Sequence, residues 1–240
     1  MTPQDFNSSI RNARATLQDV GLLEGCVYDV ALPNKSEFRK DSLTSNSYVE
    51  IYEKGLSHSY YNVLLSDLAF FQFSYKAPDE FALAFYPNPR ITGSADALSD
   101  YEDLMKQRDD GEINEESFSE LASLMPAEMY VPRWRYEYSK EQYRKVMHPG
   151  AHFHIGMSGV DRWSCSRKLS PHSFLLLMIK FYYPTHWWPR SRFFGADDLW
   201  SDPETIGRCW ENKLVRSLQT DGASLLFNEE ERQSFHFTVS

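Results

Sequence analysis

The apolar residues at the start of the chain recur with the period of an α-helix. Thr2 can cap the first turn, and Pro3 suits the first helical position. Gly21 follows the apolar series, and glycine is common just past a helix end. The pattern predicts an N-terminal helix whose buried face carries Phe6, Ile10, Ala13, Leu17 and Val20.

Between residues 26 and 86 the pattern changes to short runs of β-branched and aromatic residues. Turn residues such as Pro33-Asn34 and Lys54-Gly55 separate the runs. Connections this short favour antiparallel neighbours. We predict a meander of four or five strands from the runs Val27–Leu32, Tyr48–Glu53, Tyr60–Leu65, Ala69–Tyr75 and Phe81–Tyr86.

The rest of the chain mixes helical and extended patterns. Predicted helices are Ala97–Arg108, Glu115–Met125, Pro171–Tyr183 after the cap Ser170, and one after the cap Asp202 that begins at Pro203 and carries Ile206, Trp210, Leu214 and Leu218. Predicted strands are Met129–Tyr138, His152–Gly156 and an edge strand at Ser234–Val239. The expected fold class is α+β, with an antiparallel sheet of about five meander strands plus two or three later strands, packed with helices in a single domain over residues 1–240.

A His-x-His pair lies on one of the later strands. Side chains alternate along a strand, so His152 and His154 share one face while Phe153 points to the core. The turn at Pro149-Gly150 can bring His148 back toward the pair.

This spacing suits two kinds of chemistry. Adjacent imidazoles can hold a divalent metal ion, with Zn, Mn or Fe as the expected ions and Mg as a further candidate. His148, His152 and His154 can instead act as general acid and base beside a phosphate. The plain alternative is a pair of strand histidines that bond to backbone or water. Spacing gives no priority among the further ligand candidates Asp161, Cys165, His172 and His186.

Composition restricts the class of protein. The net charge of −9 and the pI of about 5.3 argue against a protein that coats nucleic acid. Three widely spaced cysteines exclude a disulfide framework and a Cys-type zinc finger. The longest apolar run, residues 174–179, is far too short to cross a bilayer. We expect a cytoplasmic protein with no membrane segment.

The charge is unevenly distributed. Residues 131–192 hold eleven Lys and Arg against three Asp and Glu, a net charge of +8, and the remaining residues carry −17. Five of the seven histidines lie in this basic, His-rich block. Such asymmetry predicts an anionic ligand. The candidate phosphate-binding residues are Arg133, Arg135, Arg162 and Arg167.

Aromatic residues interleave with these cations. Alternation puts Arg133, Arg135 and Glu137 on one face of their strand and Trp134 and its neighbours on the other. Exposed rings could stack on single-stranded bases. The alternative is an amphipathic strand with its rings in the core and its charges in water.

The chain resembles a bacterial family of unknown function over most of its length. The resemblance is carried by His148-Pro149, His152-Phe153-His154-Ile155-Gly156, Arg162, Ser170-Pro171 and the helix end Phe181-Tyr182-Tyr183-Pro184. Genes of such families often lie in phage-defence gene clusters. The resemblance therefore implies a genomic context in phage defence but no particular reaction. His152-Phe153-His154 also resembles the His-hydrophobe-His element of rolling-circle nucleases, with Tyr182 or Tyr183 as the nucleophile.

Two functions remain open at this point. The first is a phosphate- or nucleic-acid-directed enzyme, nuclease-like, that uses the His-x-His strand. The second is a non-catalytic accessory protein that binds a partner protein or nucleic acid through the basic, aromatic block.

Overall fold

The computed structural model describes residues 1–33, 38, 47–90, 95–125, 132–157, 159–191, 209–224, 226–233 and 236–237. Its helices are α1 (Pro3–Asp19), α2 (Tyr48–Ser57), α3 (Ala95–Asp109), α4 (Glu115–Leu124), α5 (Pro171–Tyr182), α6 (Pro184–Trp187), α7 (Trp210–Asp221) and α8 (Glu229–Gln233), with a 3₁₀ turn at Trp188–Arg190. Its strands are β1 (Leu23–Cys26), β2 (Leu32–Pro33), β3 (Val63–Leu65), β4 (Phe70–Ala77), β5 (Glu80–Tyr86), β6 (Trp134–Ser139), β7 (Ala151–Ile155), β8 (Trp163–Cys165) and β9 (His236–Phe237).

All nine strands form one sheet, in the order β1-β3-β4-β5-β6-β7-β8-β9, with β2 paired beside β4. Strands β3 to β8 follow one another as an antiparallel meander. The pairs β2–β4 and β8–β9 are parallel. The predicted α+β class, an antiparallel sheet packed with helices, is confirmed.

One face of the sheet carries the main apolar core. Alternate side chains of β4 to β7, including Phe71, Leu83, Tyr136 and Phe153, are buried there. Helices α1, α5 and α7 cover this face with their apolar sides. The predicted Thr2 cap of α1 and Ser170 cap of α5 are both present.

The other face carries a smaller cluster under α2. Phe70, Ala84 and Tyr86 of the sheet pack with Tyr48 and Tyr52 of the helix, among others. Farther along this face the side chains become polar and charged, and the candidate site lies there.

The predicted strand at Tyr48–Glu53 is wrong, because the segment is helix α2. Its buried residues Tyr48, Ile51, Tyr52 and Gly55 have helical spacing, and the Ser47 side chain caps the first turn. The expected turn at Lys54-Gly55 lies inside this helix. A Cβ on Gly55 would come within 2.6 Å of the Phe70 ring, so the glycine permits close packing of α2 on the sheet.

The other predicted elements agree with the structure to within a few residues where it describes them. The exception is the strand at Val27–Leu32, which is replaced by β1 and the two-residue β2. Residues 129–131, the Asp202 cap, Pro203, Ile206 and most of the predicted tail strand lie outside the described residues. Among the helices described, none is both long and apolar enough to cross a membrane.

Candidate metal centre

Strands β6 and β7 bring a carboxylate to the two histidines. Their antiparallel register places Glu137 opposite His152 and Arg135 opposite His154. Because directly paired residues point to the same face, all four side chains lie on the face away from the main core. Tyr136 and Phe153, the pair between them, are buried in that core.

The side-chain atoms of Glu137, His152 and His154 converge on one point. The two Nε2 atoms are 3.1 Å apart. Glu137 Oε2 lies 3.9 Å from His152 Nε2 and 4.0 Å from His154 Nε2. Glu137 retains 13% side-chain exposure, against 0% for His152 and 2% for His154.

A backbone carbonyl sets the tautomer of His152. Its Nδ1 lies 2.8 Å from the carbonyl oxygen of Pro149, which can only accept a hydrogen bond. His152 Nδ1 must therefore carry the proton, and in the neutral ring the Nε2 lone pair accepts the 3.1 Å hydrogen bond from His154 Nε2 when no metal is bound. This is the arrangement of a metal-ligating histidine, whose other nitrogen is commonly held by a carbonyl or carboxylate.

Burial keeps both rings neutral at physiological pH. It lowers the pKa of His152 to about 4 and the pKa of His154 to about 3, while the Glu137 charge acts in the opposite direction on both. Arg135 adds to the lowering at His154. Neutral imidazole is the form that binds metals. A histidine with so low a pKa is a poor general acid near pH 7, so the acid–base alternative is the less favoured one.

His148 extends the row of imidazoles. Its ring centroid lies 4.9 Å from that of His152, and the His152 and His154 centroids are 4.8 Å apart. Burial and the charge of Arg162 lower the pKa of His148. The turn at Pro149-Gly150 thus returns His148 to the pair, as its sequence predicts.

Two of the four predicted phosphate-binding arginines, Arg135 and Arg162, lie near the histidines. Arg135 Nε is 3.2 Å from Glu137 Oε1, and Arg133 lies two residues earlier on the same face, 5.8 Å above the Tyr86 ring. The positive charge of Arg162 lowers the pKa of each of the three histidines. Arg133 and Arg135 are 1% and 7% exposed, so they are buried cations and not the solvated charges of an ordinary amphipathic strand.

Arg167 has a different environment. Its Nη1 donates to the carbonyl of Leu218 on α7, and its own carbonyl accepts from Tyr136 Oη. These contacts belong to the helical layer on the main-core side, and the structure does not bring Arg167 to the histidines.

The chain matches a known protein family over most of its length. A family model described as "Uncharacterized conserved protein (DUF2290)" matches residues 23–239. The chain belongs to this family. The match includes all nine strands and the whole candidate site of this DUF2290 protein, and it confirms the resemblance to a family of unknown function. No curated protein and no solved structure gives a significant match.

The site includes a third candidate metal ligand, Glu137, that sequence reasoning missed. Glu137, His152 and His154 are the one group of three or more possible ligands within the part of the chain that the structure describes. Cys165 is buried in the main core, His172 bonds to Thr16 on α1, and Asp161 is exposed. Alternation along β6 predicts that Glu137 shares a strand face with Arg133 and Arg135. Only the β6–β7 register shows that its carboxylate lies beside the histidines.

The aromatic residues of the basic block differ in exposure. Tyr136, Tyr138 and Trp187 are buried and offer no surface for stacking bases. Trp188 is 42% exposed and Trp134, Tyr143 and Trp163 are partly exposed, so base stacking there stays a prediction.

Tyr182 and Tyr183 both contact the Phe85 ring on the main-core face, across the sheet from the histidines. The rolling-circle arrangement of a histidine pair with a tyrosine nucleophile is therefore absent among the described residues.

The donor set fits a divalent transition metal. Two imidazoles bound to one ion at about 2.0–2.1 Å leave their nitrogens roughly 3–3.5 Å apart, and the observed separation is 3.1 Å. Glu137 Oε2 needs a shift of roughly half an ångström to complete the same shell. Two His and one carboxylate is a set used by catalytic Zn and by non-haem Fe, and three protein ligands leave at least one position open.

Proposed function

We propose that the protein is a metal-dependent hydrolase of phosphate esters, nuclease-like in its substrate class. The observation that carries the proposal is the convergence of Glu137, His152 and His154 beside the buried guanidinium of Arg135. A carboxylate and two neutral imidazoles suit Zn, Mn or Fe better than Mg, which prefers oxygen ligands.

A divalent metal in such a site polarises a phosphoryl oxygen and lowers the pKa of a bound water. The residues of this chain have separate tasks. His152 and His154 hold the ion, and the Pro149 carbonyl keeps His152 in the ligating tautomer. Arg135 orients the Glu137 carboxylate through their 3.2 Å contact.

The surrounding arginines support an anionic substrate. Arg135 and Arg162 place positive charge near the ligands, and guanidinium groups are well matched to phosphate oxygens. Arg167 has no part in the proposal.

The test is a hydrolysis assay on labelled RNA, single-stranded DNA and duplex DNA, each with Mg, Mn and Zn. We expect cleavage of at least one substrate by the wild type, with a loss of at least 100-fold in His152→Ala/His154→Ala. The matched control is His58→Ala/His186→Ala, which removes two histidines that lie outside the site. Equal inertness of wild type and the His152/His154 variant on every substrate would refute the proposal.

A mobility-shift experiment on the same substrates distinguishes the accessory-protein alternative from the hydrolase. A non-catalytic binder would retain these substrates in a mobility-shift experiment without cleaving them, and Arg144→Glu/Lys140→Glu on the exposed surface would release them. A cytoplasmic location and a role in bacterial phage defence remain predictions, which localisation and the neighbouring genes would test.

A further inference from the structure

We propose that Gly150 and Leu226 are positioning residues that fix the tautomer of His152. Leu226 packs against Gly150 of the Pro149-Gly150 turn, and this turn supplies the carbonyl that binds His152 Nδ1. The inference rests on the proposed function for its consequence in metal binding, but the tautomer itself can be measured without a metal.

Gly150 and Leu226 are packed without room for a further atom. A Cβ at position 150 would come within 2.3 Å of Leu226 Cδ1 and 2.6 Å of Leu226 Cβ. Gly150 does not lie in the left-handed backbone region. An alanine there is therefore excluded by the contact with Leu226 and not by backbone strain.

Leu226 is held from both sides along the chain. Before it, Ser224 N donates to the carbonyl of Ser166, just past the end of β8, at 2.9 Å. After it, Asn228 Nδ2 donates to Tyr143 Oη at 2.7 Å, and Asn228 and Glu231 cap each other's backbone amides. Two such anchors keep Leu226 from moving away when position 150 is enlarged.

The turn transmits this packing directly to His152. The Pro149 carbonyl belongs to the peptide group that joins Pro149 to Gly150, so movement at Gly150 moves that oxygen. Ser139 N holds the other side of the turn by donating to the Gly150 carbonyl at 2.8 Å. If the Pro149 oxygen moves away, no other group among the described residues accepts a hydrogen bond from His152 Nδ1. The proton can then move to Nε2. A ring with Nε2–H must first move or lose that proton before Nε2 can ligate a metal, which weakens metal binding.

The experiment compares wild type, Gly150→Ala, Leu226→Gly and the double variant Gly150→Ala/Leu226→Gly. Long-range ¹H–¹⁵N NMR of metal-free, ¹⁵N-histidine-labelled protein reports the tautomer, and titration with Zn reports affinity. We expect Nδ1–H in the wild type, a mixture in Gly150→Ala, and recovery in the double variant, where the added methyl takes the space of the deleted Leu226 side chain against the turn. Zn affinity should fall by about 10- to 100-fold in Gly150→Ala, as for other groups that hold a ligating histidine.

Controls separate positioning from general destabilisation. Ile10→Val weakens the main core in α1 and should leave the tautomer unchanged. If Gly150→Ala does not fold, Leu226→Gly alone removes the clamp and should itself produce a tautomer mixture. An Nδ1–H ring in every folded variant would overturn the inference. Failure of the wild type to bind Zn would count against the proposed function, while a tautomer change in Gly150→Ala would still support the positioning role.

Discussion

At the scale of single residues, the unusual feature is the burial of groups that prefer water. His152, His154, Arg133 and Arg135 are all 7% exposed or less on one face of the sheet. His154 Nδ1 is buried without a hydrogen-bond partner among the described residues. Apolar side chains of similar volume would cost less free energy at these positions. We therefore attribute the cluster to function and not to stability.

Burial of the two histidines predicts a pH-dependent stability of the metal-free protein. An unfolded histidine binds a proton near pH 6.5, whereas His152 and His154 resist protonation in the fold until about pH 4 and 3. Below about pH 6.5 the unfolded state therefore holds more protons, and stability is lost as the pH falls toward 4. The loss from His152 alone is on the order of 3 kcal/mol, at about 1.4 kcal/mol per pKa unit.

Urea unfolding between pH 7 and pH 4 measures this loss. The reference is His152→Gln/His154→Gln, which removes both titrating groups but keeps His172 and the carboxylates, so their contributions cancel in the comparison. We expect the free energy of unfolding to fall more steeply with pH in the wild type than in the variant. Equal slopes would show that the two histidines titrate alike in the folded and unfolded states.

At the scale of elements, local signals predicted the helices with strong caps. The Thr2 and Ser170 caps and the spacing of apolar residues locate α1 and α5 closely. The composition of α2 predicts a strand, because Tyr48, Val49 and Ile51 favour strands, whereas the spacing of its buried positions is helical. The alternation of β7 placed His152 and His154 on one face, which the structure confirms.

The contribution of Glu137 could not be predicted in the same way. It depends on the register between β6 and β7, which are separated by the eleven-residue connection 140–150. A shift of one residue in that register would put Glu137 opposite an apolar position. Register is set by packing across the whole sheet, so it is not contained in either strand alone.

Packing of α2 on the sheet gives a prediction at this scale. Gly55→Ala puts a methyl group within 2.6 Å of Phe70 Cζ and 3.0 Å of Phe38 Cζ. We expect a loss of about 1–3 kcal/mol in the free energy of unfolding, as for other overpacked sites. Gly25→Ala is the control, because nothing lies within 4 Å of its added Cβ. Equal stability of the two variants in urea would mean that α2 does not pack this closely.

At the scale of the whole molecule, the sheet separates two chemical environments. Helices α1, α5 and α7 complete an apolar core on one face, and the other face carries the histidines, Glu137 and the arginines. The basic block is partly neutralised within the chain. Lys145, Lys168 and Lys180 pair with Glu230, Asp79 and Glu211, which all lie outside the block. Of the other cations in the block, Arg135 and Arg162 act on the histidines of the site, whereas Lys140, Arg144 and Arg190 are exposed to solvent.

The central claim is that Glu137, His152 and His154 form one metal site, and metal stoichiometry tests it most directly. The protein would be stripped with chelator, titrated with Zn and analysed for bound metal after gel filtration. We expect one equivalent in the wild type and in Glu141→Gln, whose exposed carboxylate lies on the neighbouring turn. Glu137→Gln should bind at least 10-fold more weakly, and His152→Ala/His154→Ala should retain no Zn. A wild type that binds no Zn, Mn or Fe, or a His152→Ala/His154→Ala variant that binds as well as the wild type, would contradict the claim.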